Sequence, residues 1–360
     1  MSNYIIWFDE FEEEHRPRVG GKVASLGTML GAGLPVPPGF AVTTDAFETL
    51  RSHTETRDTI NGLLESIDLA DPAGLRQISR EVRKLIEDLP LEQGIEEEVR
   101  QAYQALCDRC GVENLPVAVR SSATAEDLPN ASFAGQQDTY LWIKGEEAVL
   151  DHLRKCWSSL FTDRAIAYRH EMGFGDEIVS MSVAIQKMVD PKAAGVAFTL
   201  NPTNGDRSQV AIDASYGFGE AVVGGEVTPD NYLVDKVMRE IVRRSIGPKA
   251  IEFRINESNE VEKVEVDPER QALQCLDDDE IKALADMARR AEKFYGGPQD
   301  LEWAIDRHLP AGENILLLQA RPETVWSRKE RKPIPQAGDQ MASIIATLIS
   351  PFNAQKKSSE

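Results

Sequence analysis

The apolar positions change period several times along the chain, and each change marks an element. Tyr4–Phe8 reads as a strand, and Val23, Leu26 and Leu30 then keep the i, i+3, i+7 face of a short helix. Gly31 and Gly33 end that helix before Pro35. From Asp45 to about Cys110 the period is helical throughout. Leu75, Ile78, Val82, Leu85, Ile86 and Leu89 share one face, and Ile95, Val99, Tyr103 and Leu106 share another. An apolar strand runs from Val117 to Arg120, and strand-like sequence resumes at Thr139. Val149, Leu153, Trp157, Leu160 and Tyr168 predict one long amphipathic helix, with Arg164, Arg169 and His170 on a wet face. Met181, Val183 and Ile185 alternate inward in a strand. Ala194–Leu200 and Gln209–Ser215 are two more, joined by a turn at Asn201-Pro-Thr-Asn-Gly-Asp.

Near the end, Asp300-Leu-Glu-Trp-Ala-Ile305 and Ile315-Leu-Leu-Leu-Gln-Ala-Arg-Pro322 predict an antiparallel hairpin. Strict alternation places Asp300 and Glu302 on one face, with Leu301, Trp303 and Ile305 on the other. It likewise groups Gln319 with Arg321 and sets Leu316, Leu318 and Ala320 opposite them. Glu302 and Gln319 offer oxygen ligands for a hard cation, and Arg321 offers a guanidinium for phosphate. The plainer alternative is a surface ion pair between Glu302 and Arg321, worth little in stability.

The stretch between Arg120 and Thr139 is rich in small residues: Ser121, Ser122, Ala123, Ser132, Ala134 and Gly135. Nothing bulky keeps its backbone N–H groups from closing on a phosphate, so it reads as a lid with Arg120 as a fixed cation at its root. Lys22 follows Gly20 and Gly21 in the first turn of a helix, where dipole and ammonium both favour an anion; a plain helix start with a solvated lysine is the other reading. The site is no Walker A loop, because no glycine stands five positions before Gly21 and neither Ser nor Thr follows Lys22. The glycines at 217, 219 and 224 lack dinucleotide-fingerprint spacing as well.

Length and charge narrow the classes. The 360 residues are enough for a sizeable core, and the net charge of −20 argues against a nucleic-acid partner. No apolar run approaches the roughly 20 residues of a membrane span, and the acidic start lacks a signal-peptide pattern. The expectation is a cytoplasmic protein with no membrane partner. Cys107 and Cys110 form a C-x-x-C with no second pair nearby, so reduced structural thiols are expected rather than zinc.

Four ordered motifs carry a family resemblance: the 120–141 stretch, VGGKVASLGTMLGAGLPVPPGF, AIQKMVDPKAAGVAFTLNP, and DLEWAIDRHL with LLLQARPETV. Over about Gly20 to Val325 the chain resembles the N-terminal ATP-grasp nucleotide-binding region of the phosphoenolpyruvate synthase (pyruvate, water dikinase) family. The resemblance implies an α+β ATP-grasp fold with the nucleotide between two lobes. Residues 1–190 would form the first lobe, with a helical insertion at about 45–112 and the lid at 120–138. Residues 191–326 would form the second, and 327–360 a linker and tail. It implies ATP with Mg2+ (or Mn2+) as cofactors. Lys22, Arg120 and Arg321 would act on the phosphates, and Glu302 and Gln319 would bind metal. Ser122, Ala123, Thr124, Gly135, Gln136, Thr139, Gln186, Met188, Val189 and Glu220 would line the nucleotide. Read without the resemblance, 186–189 is a buried core strand and Glu220 sits in a bulged turn.

The five histidines lie in no T-C-H context of the kind that carries the family's phosphohistidine. The resemblance then implies transfer to a histidine on a larger partner subunit, as in the small ATP-binding subunit of phenylphosphate synthase, with phenol as acceptor. Two alternatives stand beside it: the nucleotide-binding part of a single-chain phosphoenolpyruvate synthase or rifampicin phosphotransferase, and a non-catalytic ATP sensor.

Overall fold

The alternating apolar runs close into two antiparallel sheets, because each run buries one or both faces against helices of matching period. The computed structural model describes residues 4–124, 138–172, 180–256, 258 and 260–326. Met1–Glu323 form one unit and Thr324–Glu360 a second. The strands are β1 (Ile5–Trp7), β2 (Gly39–Val42), β3 (Val117–Ala123), β4 (Thr139–Ile143), β5 (Met181–Lys187), β6 (Pro191–Phe198), β7 (Gln209–Tyr216), β8 (Asp230–Asp235), β9 (Ile241–Ser245), β10 (Ile251–Ile255), β11 (Val261–Glu265), β12 (Gln299–Asp306) and β13 (Ile315–Pro322). The helices are α1 (Arg16–Gly31), α2 (Thr44–Ser52), α3 (Thr54–Glu65), α4 (Pro72–Asp88), α5 (Gln93–Cys110), α6 (Glu146–Ser158), α7 (Asp163–Met172), α8 (Glu220–Val223), α9 (Pro268–Gln271) and α10 (Asp278–Tyr295).

The first sheet has the order β1-β2-β5-β3-β4 and the second β13-β12-β6-β7-β8-β9, while β10 and β11 pair as a separate ribbon. Neighbours in both large sheets are antiparallel. With the helices segregated from the strand order, this is an α+β architecture of the ATP-grasp kind. The chain crosses from the first sheet to the second at residues 188–190, between β5 and β6.

Helices α2 to α6 cover one face of the first sheet. Val82, Ile86, Val99, Tyr103, Leu106 and Trp157 join Val119, Val183 and Ile185 in one core. Helix α1 covers the other face, and Val19, Val23 and Leu26 share a second core with Ala41 and Ala184 of that sheet. The same core takes in Ile212, Leu301 and Trp303 of the second sheet and Ile281, Leu284 and Ala288 of α10. The acidic run at Asp277–Glu280 starts α10 as a capping box, and Gly296 (φ 71°) ends it in the left-handed region.

The predicted single helix after β4 is two. A 3-10 turn at Ser159–Phe161 separates α6 from α7, and Thr162 is extended there (φ −61°, ψ 151°). Arg169 is not on a wet face: it is 3% exposed and stacks over the Phe161 ring. A uniform apolar stripe hides such a break, because both helices bury the same side. Cys107 and Cys110 are free thiols on the last turn of α5.

Candidate functional site

The site is built where the first sheet reaches the second. Arg120 does not end its strand as the sequence suggested: β3 runs on to Ala123 in register with β5. Arg120 is only the last residue to pair with β4, and its guanidinium crosses to the β12–β13 hairpin. Nη1 donates to the Leu318 carbonyl at 3.1 Å and to Gln186 Oε1 at 3.4 Å. Nη2 donates to Gln319 Oε1 at 3.2 Å and stands 3.8 Å from Glu302 Oε2. The Arg120 side chain is only 12% exposed, so these contacts are made largely out of water.

The hairpin pairs Glu302 with Gln319 as expected, but Arg321 faces Asp300 rather than Glu302. Its alternation does not follow the strict period. The register slips between Glu302 and Trp303, because Trp303 pairs with Leu317 and Leu318 is extra. Leu316 and Leu318 therefore do not oppose the polar pair by joining the core of Leu317 and Ala320. They pack with Val189, Ala194 and Ala304, and Ala304 lies two residues along β12 from Glu302, on the same face. A bulge re-aims the chain locally; here it leaves the Leu318 carbonyl accepting from Arg120.

That face of the second sheet opens on a cavity of about 490 Å3, within the roughly 300–1,000 Å3 usual for small-molecule sites. Asp300, Glu302, Gln319 and Arg321 line its polar side, and Val222, Val223 and Val227 its apolar side. Asp300 is the strained member. Its Oδ1 is buried with no hydrogen-bond partner. Burial, then the nearby charge of Glu323, lifts its carboxyl to about 6 against the pull of Arg321. Asp213 of β7 also lines the cavity, and burial raises its carboxyl despite a 2.6 Å hydrogen bond from Asn231 Nδ2. The sequence reading missed Asp213, although a lone carboxylate inside QVAIDASY was a visible signal.

Lys22 is tied to the neighbouring residue of β3: its ammonium donates to the Ser121 carbonyl at 2.7 Å. The local reason is Gly20, which leaves the helical region (φ 68°, ψ 173°) and breaks α1 just before Gly21 and Lys22. A Cβ on Gly20 would lie 2.4 Å from the Ser122 carbonyl oxygen, so only glycine permits this approach. Ser122 Oγ donates to the Val19 carbonyl at 2.9 Å and accepts from the Val23 amide at 3.3 Å. The helix start is thus locked against β3.

The remaining sequence candidates divide. Gln186 is 2% exposed and accepts from Arg120, while its Nε2 donates to the Pro37 carbonyl at 3.3 Å. The Met188 amide donates to the Pro116 carbonyl, and Val189 is buried in the apolar nest beside Glu302. Ser122 and Ala123 are buried. Thr124 exchanges hydrogen bonds with Ser180. Thr139 is exposed and pairs in register with Arg120, and exposed Glu220 opens the short α8. Gly135, Gln136 and the lid over 125–137 lie outside the described residues.

No cluster of three or more His, Cys, Asp or Glu ligands occurs among the described residues. The oxygen donors on the hairpin are the Glu302 carboxylate and the Gln319 amide, directly paired, with the unpartnered Asp300 Oδ1 two pairs further on. All are hard donors, which suits Mg2+ or Mn2+ and no soft metal. No helix among the described residues is long and apolar enough to cross a membrane.

Comparison with known proteins adds two findings. The family described as "Pyruvate phosphate dikinase, AMP/ATP-binding domain" matches residues 16–341. A probable phosphoenolpyruvate synthase of Staphylothermus marinus is 45% identical over 91% of this chain, and one of Methanocaldococcus jannaschii is 44% identical over 95%. A phosphoenolpyruvate synthase of Aeropyrum pernix is 42% identical over 91%. The chain spans 42%, 28% and 43% of the lengths of these three relatives.

Proposed function

The chain belongs to the pyruvate phosphate dikinase AMP/ATP-binding domain family, and from that premise we propose that it binds Mg–ATP between its two sheets and cleaves it as the nucleotide-binding part of a dikinase. One phosphoryl group passes to a histidine outside these 360 residues, on a partner subunit or a further domain, water takes up the other, and AMP and phosphate are released. The observation that carries this reading is the convergence of Arg120 on Glu302, Gln319 and Leu318, 198 residues away in the chain for the last of them. A fold that merely needed an ion pair would not bury a guanidinium against a carboxylate, an amide and a bulged carbonyl beside an open cavity that the same carboxylate and amide line.

In this reading Glu302 and Gln319 hold the metal, with Asp300 close by. When bound, the metal neutralises charge shared between phosphate oxygens. Arg321, exposed at the rim, and Arg120 orient the phosphates and stabilise charge as it develops. Lys22 adds a third cation from the helix start. The work is positioning and electrostatics, with no covalent step on this chain. The apolar nest of Val189, Leu316 and Leu318 offers a surface for the adenine ring.

The relatives reported are phosphoenolpyruvate synthases, and they lend no support to phenol as the final acceptor. Pyruvate is the acceptor favoured here. The test is ATP binding with and without Mg2+ by calorimetry, followed by Arg321→Ala. Wild type should bind Mg–ATP, and with a protein carrying the acceptor histidine supplied, the variant should lose phosphoryl transfer by about 10²-fold or more while unfolding at the same temperature. Folded wild-type protein that binds no ATP would refute the reading.

A further inference from the structure

The Arg120 contacts have a second meaning. Its guanidinium does not point at empty space awaiting phosphate. It already occupies Gln319 Oε1, at 3.2 Å, and approaches Glu302 Oε2, at 3.8 Å, the two oxygens assigned to the metal. It also takes the Leu318 carbonyl that the bulge presents. We propose that Arg120 is a built-in stand-in for the metal: without nucleotide it satisfies the metal ligands itself, so a divalent cation enters only with a polyphosphate that draws the guanidinium away. This rests on the reading of Glu302 and Gln319 as the metal seat.

The physical argument is mutual exclusion. The same oxygens cannot serve a guanidinium and a compact dication at once, and two cations within about 4 Å repel strongly in a partly dry site. A carboxylate that is 29% exposed would be costly without a counter-charge, and Arg120 supplies one. Phosphate oxygens accept from a planar guanidinium in bidentate geometry better than the neutral oxygens of Gln319 or Leu318 do. Polyphosphate therefore both frees the seat and brings the cation. Gln186, 2% exposed and anchored on the Pro37 carbonyl, gives Arg120 a contact that is no part of the seat. Metal and nucleotide binding become strongly cooperative, and bare metal is kept out. Because Arg120 stands on β3 and its acceptors on β12 and β13, the same contact ties the sheets together until ATP arrives.

The experiment is a Mn2+ titration of the full chain without nucleotide, with free Mn2+ read by electron paramagnetic resonance. Arg120→Met should bind Mn2+ at least about tenfold more tightly than wild type, and adding Glu302→Gln should abolish the gain. Equal affinity in wild type and Arg120→Met, or a gain that survives Glu302→Gln, overturns the proposal. If circular dichroism shows Arg120→Met unfolded, Arg120→Lys is read instead. It keeps the charge but lacks the fork that spans the acceptors, so it should gain about threefold, and no gain is again a refutation. The two readings fail separately. If Glu302→Gln weakens Mn–ATP binding but Arg120→Met shows no Mn2+ gain, the stand-in alone falls. If Glu302→Gln leaves Mn–ATP binding unchanged, the metal assignment itself falls.

Discussion

Asp300→Asn should stabilise the nucleotide-free protein at neutral pH. The carboxyl sits in the polar side of the cavity with Oδ1 buried and unpartnered, and its pKa rises from an ordinary 3.8 to about 6. A carboxyl that binds its proton more tightly when folded opposes folding above its folded pKa. Wild type therefore gains stability as pH falls from about 6 towards about 4, and a variant without the carboxyl does not. About two pKa units correspond to roughly 3 kcal/mol, and partial solvation of the group reduces this to about 1–2 kcal/mol. The assay is urea unfolding of both proteins at pH 7.5 and pH 4.5. The variant should be more stable by about 1–2 kcal/mol at the higher pH, with the gap closing at the lower one. If the proposed cation seat beside Asp300 is correct, saturating Mg–ATP should favour wild type over the variant. A variant less stable than wild type at pH 7.5 would refute the argument that Asp300 is electrostatically strained.

Two further substitutions probe the scaffold. Gly20→Ala places a Cβ 2.4 Å from the Ser122 carbonyl oxygen at a φ of +68°, so it should cost about 2 kcal/mol or more and loosen Lys22 from β3; an unchanged melting temperature would count against the close approach. Lys249→Met removes the cation from a fully buried pair with Asp230, whose carboxylate also accepts from the Gly247 and Cys275 amides. Leaving that charge buried should cost about 3–5 kcal/mol in chemical unfolding, and adding Asp230→Asn should recover part of it. A loss below about 1 kcal/mol would mean that water reaches Asp230 in the variant.

Much of the fold was legible because its signals are local. The stripes of α4 and α5, the inward alternation of β5 and the β12–β13 pairing all follow from period and loop length. Three features escaped for the same reason. The break between α6 and α7 leaves the apolar stripe intact. The bulge falls on Leu318, the last of three leucines in a row, and such a run fits two registers equally well on a sheet with apolar contacts on both faces. Arg169 reads as a surface residue until Phe161 is folded beneath it.

The residues by themselves determined which groups are available: a cation on an apolar strand, another behind two glycines, and a carboxylate opposite an amide in a hairpin. Periodicity and pairing are properties of neighbours, so a sequence carries them openly. Only the tertiary structure decided that Arg120 lies on the acceptors of β12 and β13 and that Gln186 braces it. It alone decided that Gly20 must clear Ser122, 102 positions further on. Those facts depend on how one sheet is set against another, and no short-range period encodes a distance between strands so far apart in the chain.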